Sequence, residues 1–153
     1  MPEAKPYSER EQKVASVVMK VGTKLNNAIY KASGGRIGGK FPGGAPVCLL
    51  TTIGRKSGEE RTVALLYMRD GDDLVVVASQ GGMPRNPGWY HNLVAEPKVT
   101  IQVKKDVGRF VARTANDEER AELWPRLVAV YKGYDDYQAK TDRQIPVVIC
   151  SPA

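Results

Sequence analysis

The sequence predicts an α+β fold: about six short, mostly antiparallel strands forming a sheet or small closed barrel, with helices on its flanks. Three observations predict it. Segments rich in Val, Ile, Leu and Tyr recur at Val47–Ile53, 61–69, 74–79, 99–105, 109–114 and 145–151. Most are joined by short turns carrying Gly or Asp-Gly, the linkage of antiparallel hairpins. Strands and helices do not alternate, so the parallel β-α-β rhythm of a dinucleotide-binding sheet is missing.

Taken in order, the elements have local reasons. Residues 8–33 open with Ser8 and Glu11, a capping box. Val14, Val17, Val18, Val21, Leu25, Ala28 and Ile29 then follow at helical spacing, with Lys13, Lys20 and Lys24 projecting elsewhere. Gly34-Gly35 ends that helix, and the glycine-rich run G-G-R-I-G-G-K-F-P-G-G-A-P reads as a connection or lid. It has no G-K-[ST] ending and is not a nucleotide-phosphate loop. Asp70-Gly71 turns between the second and third strands. A loop with Gly81-Gly82 and two prolines precedes a short helix at 89–95, which stops before Pro97. A hairpin is expected around Asp106, Val107 and Gly108. Asn116, with Glu119 three places on, caps a helix running to about Lys132, in which Pro125 should make a kink. One or two helical turns at 134–140 precede the last strand.

At 153 residues the chain fits one domain, 1–153, with the first 37 residues as its N-terminal helix and connection. It is large enough to hold a core without disulfides. Cys48 and Cys150 lie in apolar runs and read as buried thiols, and one histidine with no C-x-x-C gives no metal-site pattern. No secretory signal and no apolar run of membrane-spanning length is seen, so a cytoplasmic protein is expected. The net charge of +6 attracts phosphates, nucleic acid or anionic lipid.

Three constellations carry possible chemistry. Thr51 to Arg61 joins two strands and places Arg55, Lys56, Ser57 and Arg61 between and beside Gly54 and Gly58. Guanidinium forks and glycine backbone amides are what a phosphate requires, although a solvated basic hairpin tip has the same composition. The second is V-A-S-Q-G-G, 77–82, followed by N-P-G-W-Y-H-N-L, 86–93. Small residues at a strand end let a flat ring lie against backbone, and a helix start offers N–H groups to ring carbonyls or phosphate. His91 is read as structural rather than as a general base. The third is Tyr131, Tyr134 and Tyr137, whose hydroxyls can line a pocket and steer a carbonyl or nitro oxygen.

In this order, L-L-T-T-I-G-R-K-S-G, V-V-A-S-Q-G-G, N-P-G-W-Y-H-N-L, E-P-K-V, D-E-E-R-A-E-L-W-P, Y-K-G-Y-D-D-Y-Q and T-D-R-Q-I-P-V-V-I-C resemble the deazaflavin-dependent nitroreductase family of actinobacteria, from about Gly38 to Pro152. The resemblance implies a split β-barrel that binds coenzyme F-420, an 8-hydroxy-5-deazaflavin with a phosphate and a polyglutamate tail. It implies a phosphate held by Arg55, Lys56, Ser57 and Arg61, and a cofactor lying along Thr62, Val63, Ala64, Leu65 and Leu66. The ring would rest against Val77, Ala78, Ser79 and Gln80 on one side, and against Gly88, Trp89, Tyr90, His91 and Asn92 on the other. Tyr131, Tyr134 and Tyr137 would border the acceptor, with Ser79 and Tyr134 as catalytic hydroxyls. Where members commonly carry Lys, this chain has Gln80, one cation fewer beside the phosphate or tail.

The activity so implied is hydride transfer from the reduced deazaflavin to a quinone or nitroaromatic acceptor, with no metal. Two alternatives stay open. One is an FMN- or haem-binding protein on the same barrel. The other is a small basic nucleic-acid-binding module, against which the cations are dispersed and the aromatics are not gathered on one sheet face. The N-terminal helix, apolar on one side and rimmed by lysines, also allows peripheral membrane contact.

Overall fold

In the computed structural model, residues 7–11, 27–28, 30–33 and 44–153 are described. Seven strands follow one another as β1 (Val47–Ile53), β2 (Glu60–Leu66), β3 (Met68–Asp70), β4 (Asp73–Val77), β5 (Lys98–Val103), β6 (Asp106–Thr114) and β7 (Val147–Pro152). Helix α1 (Gly88–Ala95) precedes β5, and α2 (Asp117–Val130) and α3 (Gly133–Ala139) lie between β6 and β7. The sheet order is β2-β1-β5-β6-β7-β4-β3, with every pair antiparallel. The two end strands, β2 and β3, are separated in the chain by Tyr67 alone. A sheet whose two end strands follow one another in the chain must curl to bring them near, and that curl makes the split barrel, with no ladder between β2 and β3 among the described residues.

The period of two in each strand divides the apolar residues between two layers. Cys48, Leu50, Leu74, Val76, Val99, Ile101, Val103, Ala112, Val148 and Cys150 fill the barrel interior, closed by Trp89 and Leu93 of α1. Their neighbours in sequence, Val75, Val77, Val147 and Ile149, face outward and are covered by Leu123 and Leu127 of α2 and Tyr134 of α3. Val47 and Leu49 are covered instead by Tyr30. Cys48 and Cys150 are free and fully buried, and burial pushes both thiols up to about 12.

Several local expectations hold. The Ser8–Glu11 capping box forms, with the Ser8 amide donating to Glu11 Oε2 at 2.7 Å. Asn116 caps α2 in a second reciprocal box with Glu119. Tyr30 fixes the end of the N-terminal segment: its hydroxyl donates to the Val47 carbonyl at 3.1 Å and accepts from the Lys104 amide at 2.6 Å. The apolar stripe from Val14 to Leu25, Ile29, the lysines at 13, 20 and 24, and the glycine-rich run 34–43 lie outside the described residues.

Three boundaries differ from the sequence reading. The segment 61–69 is broken at Tyr67, because β2 pairs with β1 while β3 pairs with β4. The hairpin between β5 and β6 turns at Lys104-Lys105, with Lys104 at φ 55, not at residues 106–108. Gly108 instead pairs with Ile101 inside the strand, where a Cβ would stand 3.0 Å from the Phe110 ring. That glycine serves packing, not turning. Helix α2, with Pro125 inside it as expected, ends at Val130, short of Lys132.

Candidate functional site

The turn between β1 and β2 closes on its own backbone. The Gly54 amide donates to the Glu59 carbonyl at 2.7 Å and the Gly58 amide to the Gly54 carbonyl at 2.8 Å. Gly58 sits at φ 70, and a Cβ on Gly54 would stand 2.6 Å from Ser57 Oγ. Gly58 is therefore favoured by its left-handed backbone, while a side chain at Gly54 would crowd the Ser57 hydroxyl and the Glu59 carbonyl, 3.2 Å away. Arg55, Lys56, Ser57 and Arg61 are all exposed. Arg61 pairs at 3.4 Å with Glu59, an exposed contact of little energetic weight. Among the described residues, Arg55 and Lys56 have no carboxylate within ion-pair distance.

Asn92 brackets this turn to α1. Its amide Nδ2 donates to Thr52 Oγ1 at 3.2 Å, a buried contact. Its Oδ1 accepts from the Arg55 amide at 3.2 Å and from Arg55 Nη1 at 3.1 Å. Arg55 Nη1 also lies 3.5 Å from the Gly88 carbonyl, at the first residue of α1. Thus the cation cluster and a helix N-terminus, two features that attract the same anion, are brought together. Pro87 precedes the helix and no side chain caps it. Beside them runs β2, an edge strand. Thr62, Val63, Ala64, Leu65 and Leu66 are all half-buried, on both faces of the strand. Asn27 reaches this strand from the N-terminal segment and donates to the Thr62 carbonyl at 2.9 Å.

In the second constellation, Ser79 leads into a 3-10 turn at Gln80–Gly82. Gln80, Gly81 and Gly82 all have positive φ, at 46, 64 and 80°. A Cβ on Gly82 would stand 2.5 Å from the Tyr137 carbonyl oxygen, so the turn rests directly on the backbone of α3. The Ser79 side chain is half-buried, and among the described residues its hydroxyl has no hydrogen-bond partner. Val77 and Ala78 are buried in opposite layers, and Trp89 plugs the interior. Those three can offer a ligand little beyond backbone. Tyr90 bonds Thr114 Oγ1 at 2.9 Å, and His91 is exposed.

The three tyrosines do gather. Tyr131 meets Tyr134 edge-on with centroids 5.1 Å apart, and the Tyr131 and Tyr137 hydroxyls share a hydrogen bond of 2.8 Å. Tyr134 is buried in the outer layer, and that burial holds its phenol far above the ordinary value; Tyr137 is raised for the same first reason. Both remain neutral hydroxyls across the physiological range.

Sequence reasoning missed Arg143. Its guanidinium donates to the carbonyls of Met83 (2.9 Å), Ala78 (3.3 Å) and Ser79 (2.6 Å) and to Asn86 Oδ1 (2.8 Å). Its partners lie 57–65 residues away, and three of the four are backbone, so no side-chain pattern announces it. Among the described residues no group of three or more His, Cys, Asp and Glu is placed to hold a metal ion.

A family model described as F420H(2)-dependent quinone reductase matches residues 22–152. The chain belongs to that family. An F420H(2)-dependent quinone reductase of Mycobacterium tuberculosis is 45% identical over 130 residues, covering 82% of this chain and 87% of that protein. The solved structure of an F420-H2 dependent reductase (FDR-A) is 42% identical with a TM-score of 0.65, over 69% of this chain and 94% of that one. The haem storage protein HutZ of Vibrio cholerae superposes with a TM-score of 0.54 at 12% identity, over 70% of this chain and 81% of its own. That last likeness shows the barrel fold alone. The oxidoreductase family expected from the motifs is therefore established, as is the split barrel.

Proposed function

We propose that the protein takes reduced coenzyme F-420 as hydride source and passes the hydride to a quinone, with nitroaromatic compounds as a second acceptor class. Family membership supports the cofactor and the quinone. The observation that carries the site is the Asn92 bracket, which joins the Arg55–Lys56 turn to the open start of α1. Cations without carboxylate partners beside a helix N-terminus and a half-open edge strand fit a flat ring on a phosphorylated tail.

Arg55, Lys56, Ser57 and Arg61 would hold the phosphate, and Thr62 to Leu66 would flank the chain that links it to the ring. The ring would lie on the backbone of Ala78, Ser79 and Gln80. Bound there, a reduced 5-deazaflavin supplies a hydride, having carbon in place of flavin N5. The protein's own part is to bind, orient and exclude water. The Ser79 and Tyr134 hydroxyls, both neutral and without protein partners among the described residues, would donate to the acceptor oxygen as it gains charge. Tyr131 and Tyr137 would border the acceptor.

Titration of oxidised and reduced F-420, followed by a panel of quinones and nitroaromatics, tests this reading. Micromolar or tighter F-420 binding with quinone turnover is the expected result. A stable FMN or haem complex without F-420 turnover would overturn it. Among the described residues no helix is long and apolar enough to cross a membrane.

A further inference from the structure

We propose that Arg143 is a positioning residue that holds the 78–86 loop in the shape the ring requires, working together with Gln80. This rests on the reading of the loop as the cofactor's wall. The loop is costly as built. Three consecutive residues have positive φ, and the first, Gln80, carries a side chain that disfavours that region. Among the described residues two backbone bonds tie the turn itself, Gly82 N to Ser79 O at 3.0 Å and Met83 N to Gln80 O at 3.2 Å.

Arg143 clamps both shoulders of this turn. Nη2 and Nη1 take the Ser79 and Ala78 carbonyls before it, while Nε and Nη1 take Met83 and Asn86 after it. No carboxylate lies within ion-pair distance of Arg143 among the described residues. The fork is spent on carbonyls, and a lysine's single nitrogen does not span four acceptors on two sides of a loop. Gln80 closes the same loop from within. In the amide orientation that meets acceptors, its nitrogen donates to the Arg85 carbonyl at 3.0 Å and the Asn86 carbonyl at 3.2 Å. The side chain at position 80 therefore ties the loop to itself, where a lysine would extend a charge.

Arg143 is in turn held in place. Its carbonyl accepts from Gln138 Nε2 at 2.8 Å, and Gln138 Oε1 accepts from Arg120 Nη2 at 2.9 Å. The clamp thus runs from α2 through α3 to the loop.

The test compares Arg143→Lys and Arg143→Met with the unmodified chain in two measurements. The first is amide hydrogen exchange of Gly82 and Met83 without cofactor. The second is the dissociation constant for oxidised F-420, with kcat and the acceptor KM. Both variants should exchange those two amides at least tenfold faster while the β4 and β7 amides stay protected. Both should bind F-420 at least tenfold more weakly and turn over more slowly, with the acceptor KM unchanged, and Lys should give no rescue. Wild-type loop protection in Arg143→Lys overturns the proposal and leaves the cofactor wall standing. Faster exchange across the whole barrel also overturns it, since the role is then general stability. A loosened loop with unchanged F-420 affinity overturns the proposal together with the reading of the loop as cofactor wall.

Discussion

The 54–58 turn and the 78–86 loop use arginine in opposite ways. The turn holds its own shape through backbone bonds and a left-handed Gly58, so Arg55 keeps most of its hydrogen-bonding capacity. The loop does not hold its own shape, and Arg143 is consumed in holding it. One guanidinium is available to a ligand and the other to the protein. The difference follows from the backbone: where glycine geometry closes a turn, cations there remain unspent.

Removing the unspent charge is the largest break in that comparison. Arg55→Ala with Lys56→Ala should weaken F-420 binding by more than about a hundredfold, since charged hydrogen bonds contribute about 1.5–3 kcal/mol each. Titration with F-420 measures it, and thermal melting should show an intact fold. Unchanged affinity would remove the turn from the site. Asn92→Ala cuts the bracket instead. Losing a buried bond to Thr52 costs about 1–3 kcal/mol and lowers Tm by about 2–4 °C per kcal/mol. F-420 affinity should fall about tenfold with it, because Arg55 loses its anchor. A variant with lower Tm and native affinity would make Asn92 structural only.

Tyr134→Phe sharpens the comparison on the acceptor side. Turnover should drop about tenfold, with kcat and kcat/KM falling together, while F-420 affinity stays put. Wild-type rates on every active acceptor would exclude the hydroxyl from the chemistry. The smallest effect is expected far from either loop. Two hydrogen bonds from Arg113, with the Asn116 amide, bring Glu119 down from 4.5 to about 2. A carboxylate depressed in the folded state stabilises it above the unfolded value and loses that contribution as pH falls. The Tm difference between the native chain and Glu119→Gln should therefore be steady at neutral pH and shrink between about pH 4.5 and 2. A constant difference across that range would mean the pair is not coupled to folding.

Much of this was legible in the sequence because it is local. Both capping boxes, the Asp70-Gly71 turn and the apolar strand segments each depend on residues within a few positions of one another, and all formed. The break at Tyr67 was not legible. Residues 61–69 have one unbroken strand-like composition, and only the closing of the barrel assigns the two halves to different partners. The glycine at 108 misled because lack of a side chain suits a turn and a tight ring contact equally. In the site, the cationic turn could be read from residue types. The part Asn92 plays in holding the turn was not legible, since its amide bonds Thr52 and Arg55, 40 and 37 residues away. Arg143 passed unnoticed for the same reason, as its partners exist only once the chain is folded.

The two interior cysteines carry a consequence for a protein of this family. Quinones are electrophiles that add thiolates, so an enzyme that handles them risks alkylating itself. Cys48 and Cys150 are the chain's only cysteines, and neither has surface exposed. Burial pushes both thiols up to about 12, so the thiol and not the reactive thiolate is the form present at neutral pH, and the barrel wall stands between it and solvent. Repeated turnover of an electrophilic acceptor therefore finds both cysteine thiols withdrawn into the barrel.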